Sequence, residues 1–143
     1  MRKQLRRALV VLPAMVIAMS SVALAAGPVK GGTYKGVTAH GKEAISLKVS
    51  ASGKTVTVHV PSPPAYCAGG GGTALEITKA AAISSSGSFK GSIAYEFVPF
   101  HKTVVKLFFN GKFSGRKVTG TARSEFPFSK QCNGSTSFSA KAA

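Results

Sequence analysis

From Gly31 onward, apolar residues recur at every second position. Ile45, Leu47 and Val49 alternate with Ser46, Lys48 and Ser50, and Val56, Val58 and Val60 alternate with Thr55, Thr57 and His59. A period of two puts successive side chains on opposite faces of a strand, so each segment has one buried and one wet face. No stretch after Ala25 has the three-to-four spacing of an amphipathic helix. The pattern predicts an all-β domain.

The punctuation between these runs predicts where strands begin and end. Ala51-Ser52-Gly53-Lys54 reads as a short hairpin connection, with glycine supplying a positive φ. Pro61-Ser62-Pro63-Pro64 ends the following strand, because proline cannot donate to a sheet ladder. A strand over Ala74 to Thr78 and a short one around Ala81 to Ser84 are expected next, closed by Ser84-Ser85-Ser86-Gly87. Phe89, Ile93, Tyr95 and Phe97 mark a longer strand, and Thr103 to Asn110 carries Val105, Leu107 and Phe109 on one face. Val118 to Arg123 and Ser135 to Ala140 follow, the last placing Phe138 inward. The sum is an antiparallel β-sandwich or partly open β-barrel of about eight strands.

Three short matches in the same order suggest a degenerate internal duplication. Gly32-Thr33-Tyr34-Lys35-Gly36 matches Gly87-Ser88-Phe89-Lys90-Gly91 at an offset of 55, and Ser52-Gly53-Lys54-Thr55-Val56-Thr57 matches Ser114-Gly115-Arg116-Lys117-Val118-Thr119 at 62. Cys67-Ala68-Gly69 matches Cys132-Asn133-Gly134 at 65. The halves run over about 31–80 and 86–143. By this analogy the tight turn of the second half lies at Ser114-Gly115, and Asn110-Gly111, a strong hairpin signal in isolation, becomes a bend or bulge.

The first 25 residues have the form of a secretory signal peptide. Arg2, Lys3, Arg6 and Arg7 make a basic start, Ala8 to Met19 is an apolar run too short for a stable span, and Ala23-Leu24-Ala25 offers the small residues of a cleavage site. Arg6-Arg7 leaves Sec and Tat export both open. Cleavage after Ala25 leaves one domain over 26–143, with no transmembrane anchor expected in it.

Export bears on the two cysteines, Cys67 and Cys132, which are the only ones in the chain. Outside the cytoplasm such a pair is expected to be oxidised, and a bond between them closes a loop of 65 residues. On the chain-entropy model this stabilises the fold by roughly 4 kcal/mol. A redox or metal-binding pair lacks the CxxC spacing and the cysteine–histidine cluster that it requires.

Few residues could carry catalysis. The chain has no aspartate, which removes aspartate-based calcium loops and an Asp-containing triad. His40, His59 and His101 share no metal-ligand spacing, and no G-x-S-x-G elbow is present. Glu76 with Glu125, or Glu43 with Glu96, could form a glycosidase pair only if the fold assembled them. Gly69-Gly70-Gly71-Gly72, after Tyr66-Cys67, lacks the Lys-Ser/Thr ending of a phosphate loop. No cofactor, metal or catalytic residue is therefore expected.

Charge is the one signal with a mechanism. Once the four basic residues of the signal are gone, 13 lysines with Arg116 and Arg123 stand against four glutamates. Lysine is a flexible point charge suited to non-specific attraction of polyanions. Lys35, Lys48, Lys54, Lys90, Lys106, Lys112, Arg116, Lys117 and Arg123 are the candidate basic surface, spread through both halves without forming a block. With no tryptophan and little aromatic interleaving, a specific nucleic-acid platform is not expected. The bland alternative is a solvated surface that keeps strand edges from aggregating.

Gly32-Thr33-Tyr34-Lys35-Gly36-Val37-Thr38, the I-x-L-x-V run of Ile45, Leu47 and Val49, the Tyr66-Cys67 pair, Gly120-Thr121-Ala122-Arg123 and a final Cys132 together define a pattern. In these motifs the chain resembles a loose group of small exported bacterial β proteins. The resemblance implies export, one disulfide and a β fold, and transfers no functional residue. Two functions are expected to compete: a non-enzymatic secreted binding protein attracted to an anionic cell-wall or extracellular polymer, and a secreted inhibitor or interaction module that presents Tyr66 and Gly69 to Gly72 to an extracellular protein.

Overall fold

A computed structural model describes residues 26–40, 42–61, 76–97, 103–127 and 130–143. Eight antiparallel strands form one sheet: β1 Thr33–Thr38, β2 Ala44–Val49, β3 Thr55–Pro61, β4 Glu76–Ala82, β5 Ser88–Phe97, β6 Thr103–Ser114, β7 Lys117–Glu125 and β8 Gly134–Ala142. Their spatial order is β4-β3-β2-β1-β8-β7-β6-β5, so every strand lies beside its sequence neighbour and β1 pairs with β8. The sheet is a nearly closed up-and-down barrel, which decides between the sandwich and barrel expectations.

Closure is uneven. Between β1 and β8 the ladder runs from Tyr34↔Ala142 to Thr38↔Phe138. Between β4 and β5 the wall is joined by a bridge at Ile83↔Phe89 and by the Tyr95 hydroxyl, which donates to the Glu76 carbonyl oxygen at 2.6 Å. The turns after β2, β4 and β6 share one end of the barrel, here called the lower end. Cys132 and the strand ends at Pro61 and Glu76 share the upper one.

Inward positions follow the alternation. Ile45, Leu47 and Val49 on β2, Val56, Val58 and Val60 on β3, and Val105, Leu107 and Phe109 on β6 are all buried. Phe89 and Phe138 are buried on the faces expected for them. Where β5 to β8 curl, the filling is an aromatic ring against a glycine. Gly91 faces Phe109, Gly111 faces Phe89 and Gly120 faces Phe138, each as a direct cross-strand pair. In each pair a Cβ on the glycine would collide with the facing ring. The rings continue inward: Phe89 lies 5.2 Å from Phe113, and Phe113 lies 5.0 Å edge-on from Tyr34. An eight-stranded barrel is just wide enough to be filled by side chains, and among the described residues these rings and the aliphatic rows occupy its inner face.

Tyr34 seals the lower end. Its ring is fully buried, and its hydroxyl donates to the Gly115 carbonyl oxygen at 2.7 Å while accepting the Val29 amide at 2.8 Å. One side chain thus ties the segment before β1 to the β6–β7 turn.

Two expectations are corrected. The separate strands at Ala74 to Thr78 and Ala81 to Ser84 are a single strand, β4, because its partner β3 offers an unbroken ladder from Thr55↔Ala82 to Pro61↔Glu76. Asn110-Gly111 is neither bend nor bulge: both residues sit in register inside β6, at Asn110↔Thr121 and Gly111↔Gly120. Here glycine serves the close approach of the Phe89 ring rather than a turn. The tight turn is at Gly115-Arg116, where Gly115 has a φ of 59° and Ser114 pairs with Lys117, as the Ser114-Gly115 analogy anticipates. The matching connection after β2 has Gly53 at a φ of 74°.

The packing separates two kinds of glycine. The nearest atoms to a Cβ on Gly91 belong to the Phe109 ring, whereas on Gly120 the nearest is the backbone carbonyl oxygen of Asn110, followed by the Phe138 ring. Alanine at either position is expected to cost about 1–3 kcal/mol or more by overpacking. In urea unfolding, Phe109→Leu should recover part of the loss in Gly91→Ala, and Phe138→Leu should recover little of the loss in Gly120→Ala.

Candidate functional site

With the interior filled by rings and aliphatic chains, polar chemistry is left to the outer face. The register shows how its charges are arranged. On β1, β8 and β7, Lys35 stands directly opposite Lys141, and Lys141 directly opposite Lys117. Lys112 on β6 is the diagonal neighbour of Lys117, since it pairs with Thr119, and Lys90 on β5 is diagonal to Lys112, which pairs with Ser88. Five successive strands therefore each contribute one exposed lysine to a single stripe. Direct neighbours stand about 5 Å apart and diagonal ones about 7–8 Å, so the stripe runs about 25 Å across the strands.

A groove follows this stripe. Its largest part, 960 Å³, is floored by Gly111 and Gly120 and flanked by Ser88, Lys90, Asn110, Lys112, Thr119 and Thr121. A second part, 430 Å³, lies between Lys35, Lys117 and Lys141 over Gly36, with Ser139 and Thr119 at its side. A third, 360 Å³, adds Lys42 and Ser137, and all three meet at Thr119. The floor is the backbone of inward-phase positions, Gly111, Gly120 and Gly36, between rows of outward side chains.

The expected basic residues divide into three groups. Lys35, Lys90, Lys112 and Lys117 join the stripe, and Arg116 flanks it from the β6–β7 turn, where its Nη2 donates to the Ala142 and Ala143 carbonyl oxygens at 3.2 and 3.4 Å. Arg123 and Lys106 lie on the same wall nearer the upper end. Arg123 is already engaged, through an ion pair with Glu125 at 3.1 Å and a guanidinium stacked 4.8 Å from the Phe108 ring centre. Lys48 on β2 and Lys54 in the β2–β3 turn lie off the wall. On β2, β3 and β4 the outward residues are mostly hydroxyl-bearing or small, such as Ser46, Thr55, Thr57, Thr78 and Ala80, with Lys48 and Glu76 as the charged exceptions.

Lys141 was missed as a candidate, as were Thr119, Ser139 and the glycine floor. The alternation of Thr136, Phe138 and Ala140 would have turned Lys141 outward. Its place beside Lys35, however, depends on a pairing between the first and last strands, and no local pattern encodes that pairing.

The remaining candidates do not converge. His59 Nδ1 is 2.9 Å from the Thr78 hydroxyl, and the His40 amide donates to the Thr136 hydroxyl at 3.3 Å. Glu43 lies in the β1–β2 loop, Glu76 opens β4, Glu96 is on β5, and Glu125 is bound to Arg123. Among the described residues no three His, Cys, Asp or Glu side chains gather as a metal site, and no helix is long and apolar enough to cross a membrane. Cys132 is buried at the end of a short 3₁₀ turn, Lys130–Cys132, and no free cysteine occurs among the described residues. Asn133 pins this corner through its side-chain oxygen, which accepts the Phe126 amide at 2.7 Å. Tyr66, Cys67, Gly69, Gly70, Gly71, Gly72 and His101 lie outside the described residues, as does the signal segment 1–25.

No family model matches the chain, and no curated protein or solved structure is significantly similar to it. Fold and surface together describe a small filled up-and-down barrel with one cationic, hydroxyl-lined wall.

Proposed function

We propose that the chain is an exported, non-enzymatic binding protein whose ligand is an anionic polymer of the cell envelope or the surrounding medium. The observation that carries this reading is the stripe Lys35, Lys141, Lys117, Lys112 and Lys90, one cation on each of five adjacent strands. A cationic surface made only for solubility has no need of alignment. An aligned one faces a linear polyanion with repeated attraction at many points. Ser139, Thr119, Thr121 and Asn110 beside it supply hydrogen-bond donors without fixing one ligand geometry.

A disulfide between Cys67 and Cys132 belongs to the same proposal as a brace. In the strand circuit, the flanks of the Cys67 segment, Pro61 and Glu76, lie half a turn from Cys132 at the upper end. The bond would therefore tie the two four-stranded meanders together away from the stripe.

Retention of the mature protein on a heparin-like resin should weaken steeply with salt. Exposed ion pairs contribute about 0.2–1 kcal/mol each, so replacing Lys35, Lys112 and Lys117 by serine should lower affinity roughly tenfold. Replacing Lys48, Lys54 and Lys79 removes the same charge off the stripe and should change affinity far less. Passage of the wild type through the resin at low salt, or equal losses in the two triple variants, would refute the proposal. Cys67→Ala with Cys132→Ala should lower the unfolding free energy by about 4 kcal/mol and leave retention unchanged.

A further inference from the structure

We infer that Lys35, Lys141 and Lys117 form a subsite for a phosphate group of the bound polymer, and that the polymer is a flexible polyol-phosphate chain. The inference rests on the polyanion-binding reading above and names its ligand chemistry. Like charges directly opposite each other on neighbouring strands destabilise a sheet, and this row places two such pairs in succession. Its flanking outward residues in the same row are Ser46 on β2 and Ser114 on β6, which offer no compensating charge. Among the described residues none of the three lysines has an ion-pair partner, since the acidic side chain on this wall that does pair is held by Arg123. A local cost that persists on the ladder that closes the barrel is explained if an anion offsets it.

The shape of the site narrows the anion. The 430 Å³ groove between the three lysines is floored by Gly36 and bordered by the hydroxyls of Ser139 and Thr119. Ammonium groups on flexible stems and hydroxyls approach from several directions, which suits the diverging oxygens of a tetrahedral group. A planar carboxylate is matched instead by the fork of an arginine. The arginine nearest the row, Arg116, is turned to the Ala142 and Ala143 backbone oxygens and so is not presented as a fork to the groove.

The rest of the wall narrows the polymer. Phe108, its one outward aromatic ring among the described side chains, is half-buried with Arg123 stacked on it. Neither a nucleic-acid base nor a sugar ring finds a free aromatic face to stack on. Val37, 43% exposed, lies beside the groove and offers contact to an aliphatic backbone. A phosphate polymer with a short polyol backbone fits these surroundings better than a nucleic acid or a sulfated polysaccharide.

Thermal unfolding of the mature protein, with chloride replaced by inorganic phosphate at constant ionic strength, reads out the subsite. Phosphate should raise Tm by a few degrees. Lys141→Ser should raise Tm in chloride by roughly 1–5 °C, because it relieves both like-charge pairs, and should abolish most of the phosphate effect. Lys35→Ser provides the same test with one pair relieved. Affinity for poly(glycerol phosphate) should fall several-fold in Lys141→Ser, while affinity for polyglutamate should fall no more than in Lys48→Ser. An equal phosphate effect in wild type and both variants, or equal losses on the two polymers, overturns the subsite and leaves salt-dependent retention standing. Stronger wild-type binding to a sulfated polysaccharide, single-stranded DNA or anionic vesicles at matched charge overturns the choice of polymer. Loss of all retention at low salt would instead remove the reading on which the subsite rests.

Discussion

The structure depends on aromatic rings seated over glycines inside a barrel too narrow for both partners to be large. Phe109 over Gly91, Phe89 over Gly111 and Phe138 over Gly120 are direct cross-strand pairs, so each ring fixes register as well as filling space. Slipping any of these ladders by one residue would turn the ring outward and bring a bulkier neighbour over its seat. Glycines at such points also let a sheet curl, which eight strands must do strongly to close. Curvature, register and core packing are therefore one solution, concentrated on β5 to β8. β2 and β3, by contrast, pack plain aliphatic rows.

The filled interior bears on where the proposed function can lie. The centre of the barrel is occupied by Tyr34, Phe89, Phe109 and Phe113, and the groove and the lysine stripe lie on the outer wall. Gly111 and Gly120 admit rings on the inner side, and their backbone lies along the groove on the outer side. The like-charged row sits on the ladder between β1 and β8, which is also the contact that joins the chain's first and last strands. In the proposed reading, stability of that closure and affinity for an anion oppose each other through Lys141.

Much of the fold was legible because alternation is a local signal. The buried faces of β2, β3, β6 and β8 follow from it, and the Ser52-Gly53 and Ser114-Gly115 turns follow from glycine chemistry. What could not be read depends on partners distant in sequence. Asn110-Gly111 carries a hairpin signal, but Thr121 and Gly120 on one side and Lys90 and Phe89 on the other hold it extended. Glu76 to Ala82 lacks a clean alternation and becomes one strand because β3 templates it. The basic residues form no block along the chain. They align only across the sheet, where β1, β8, β7, β6 and β5 bring together positions from Lys35 to Lys141.

The two seams of the barrel show how single residues decide closure. At β1–β8 the inward residues include Gly36 at the middle of the ladder, where even a Cβ would collide with the Ser139 carbonyl oxygen and with Ala140, so the strands approach closely there and the ladder is continuous. At β4–β5 the inward phase of β4 includes Lys79, opposite Val58 yet exposed. Pulling that edge fully onto β5 would bury its ammonium group without a partner, a cost greater than the few ladder bonds gained. The seam is therefore joined where inward residues are apolar or can reach across, at Ile83 with Phe89 and through the Tyr95 hydroxyl. A lysine pointing inward from a strand edge is also a known guard against pairing with other chains. The same residue type that lines the outer wall thus also guards the exposed edge of β4.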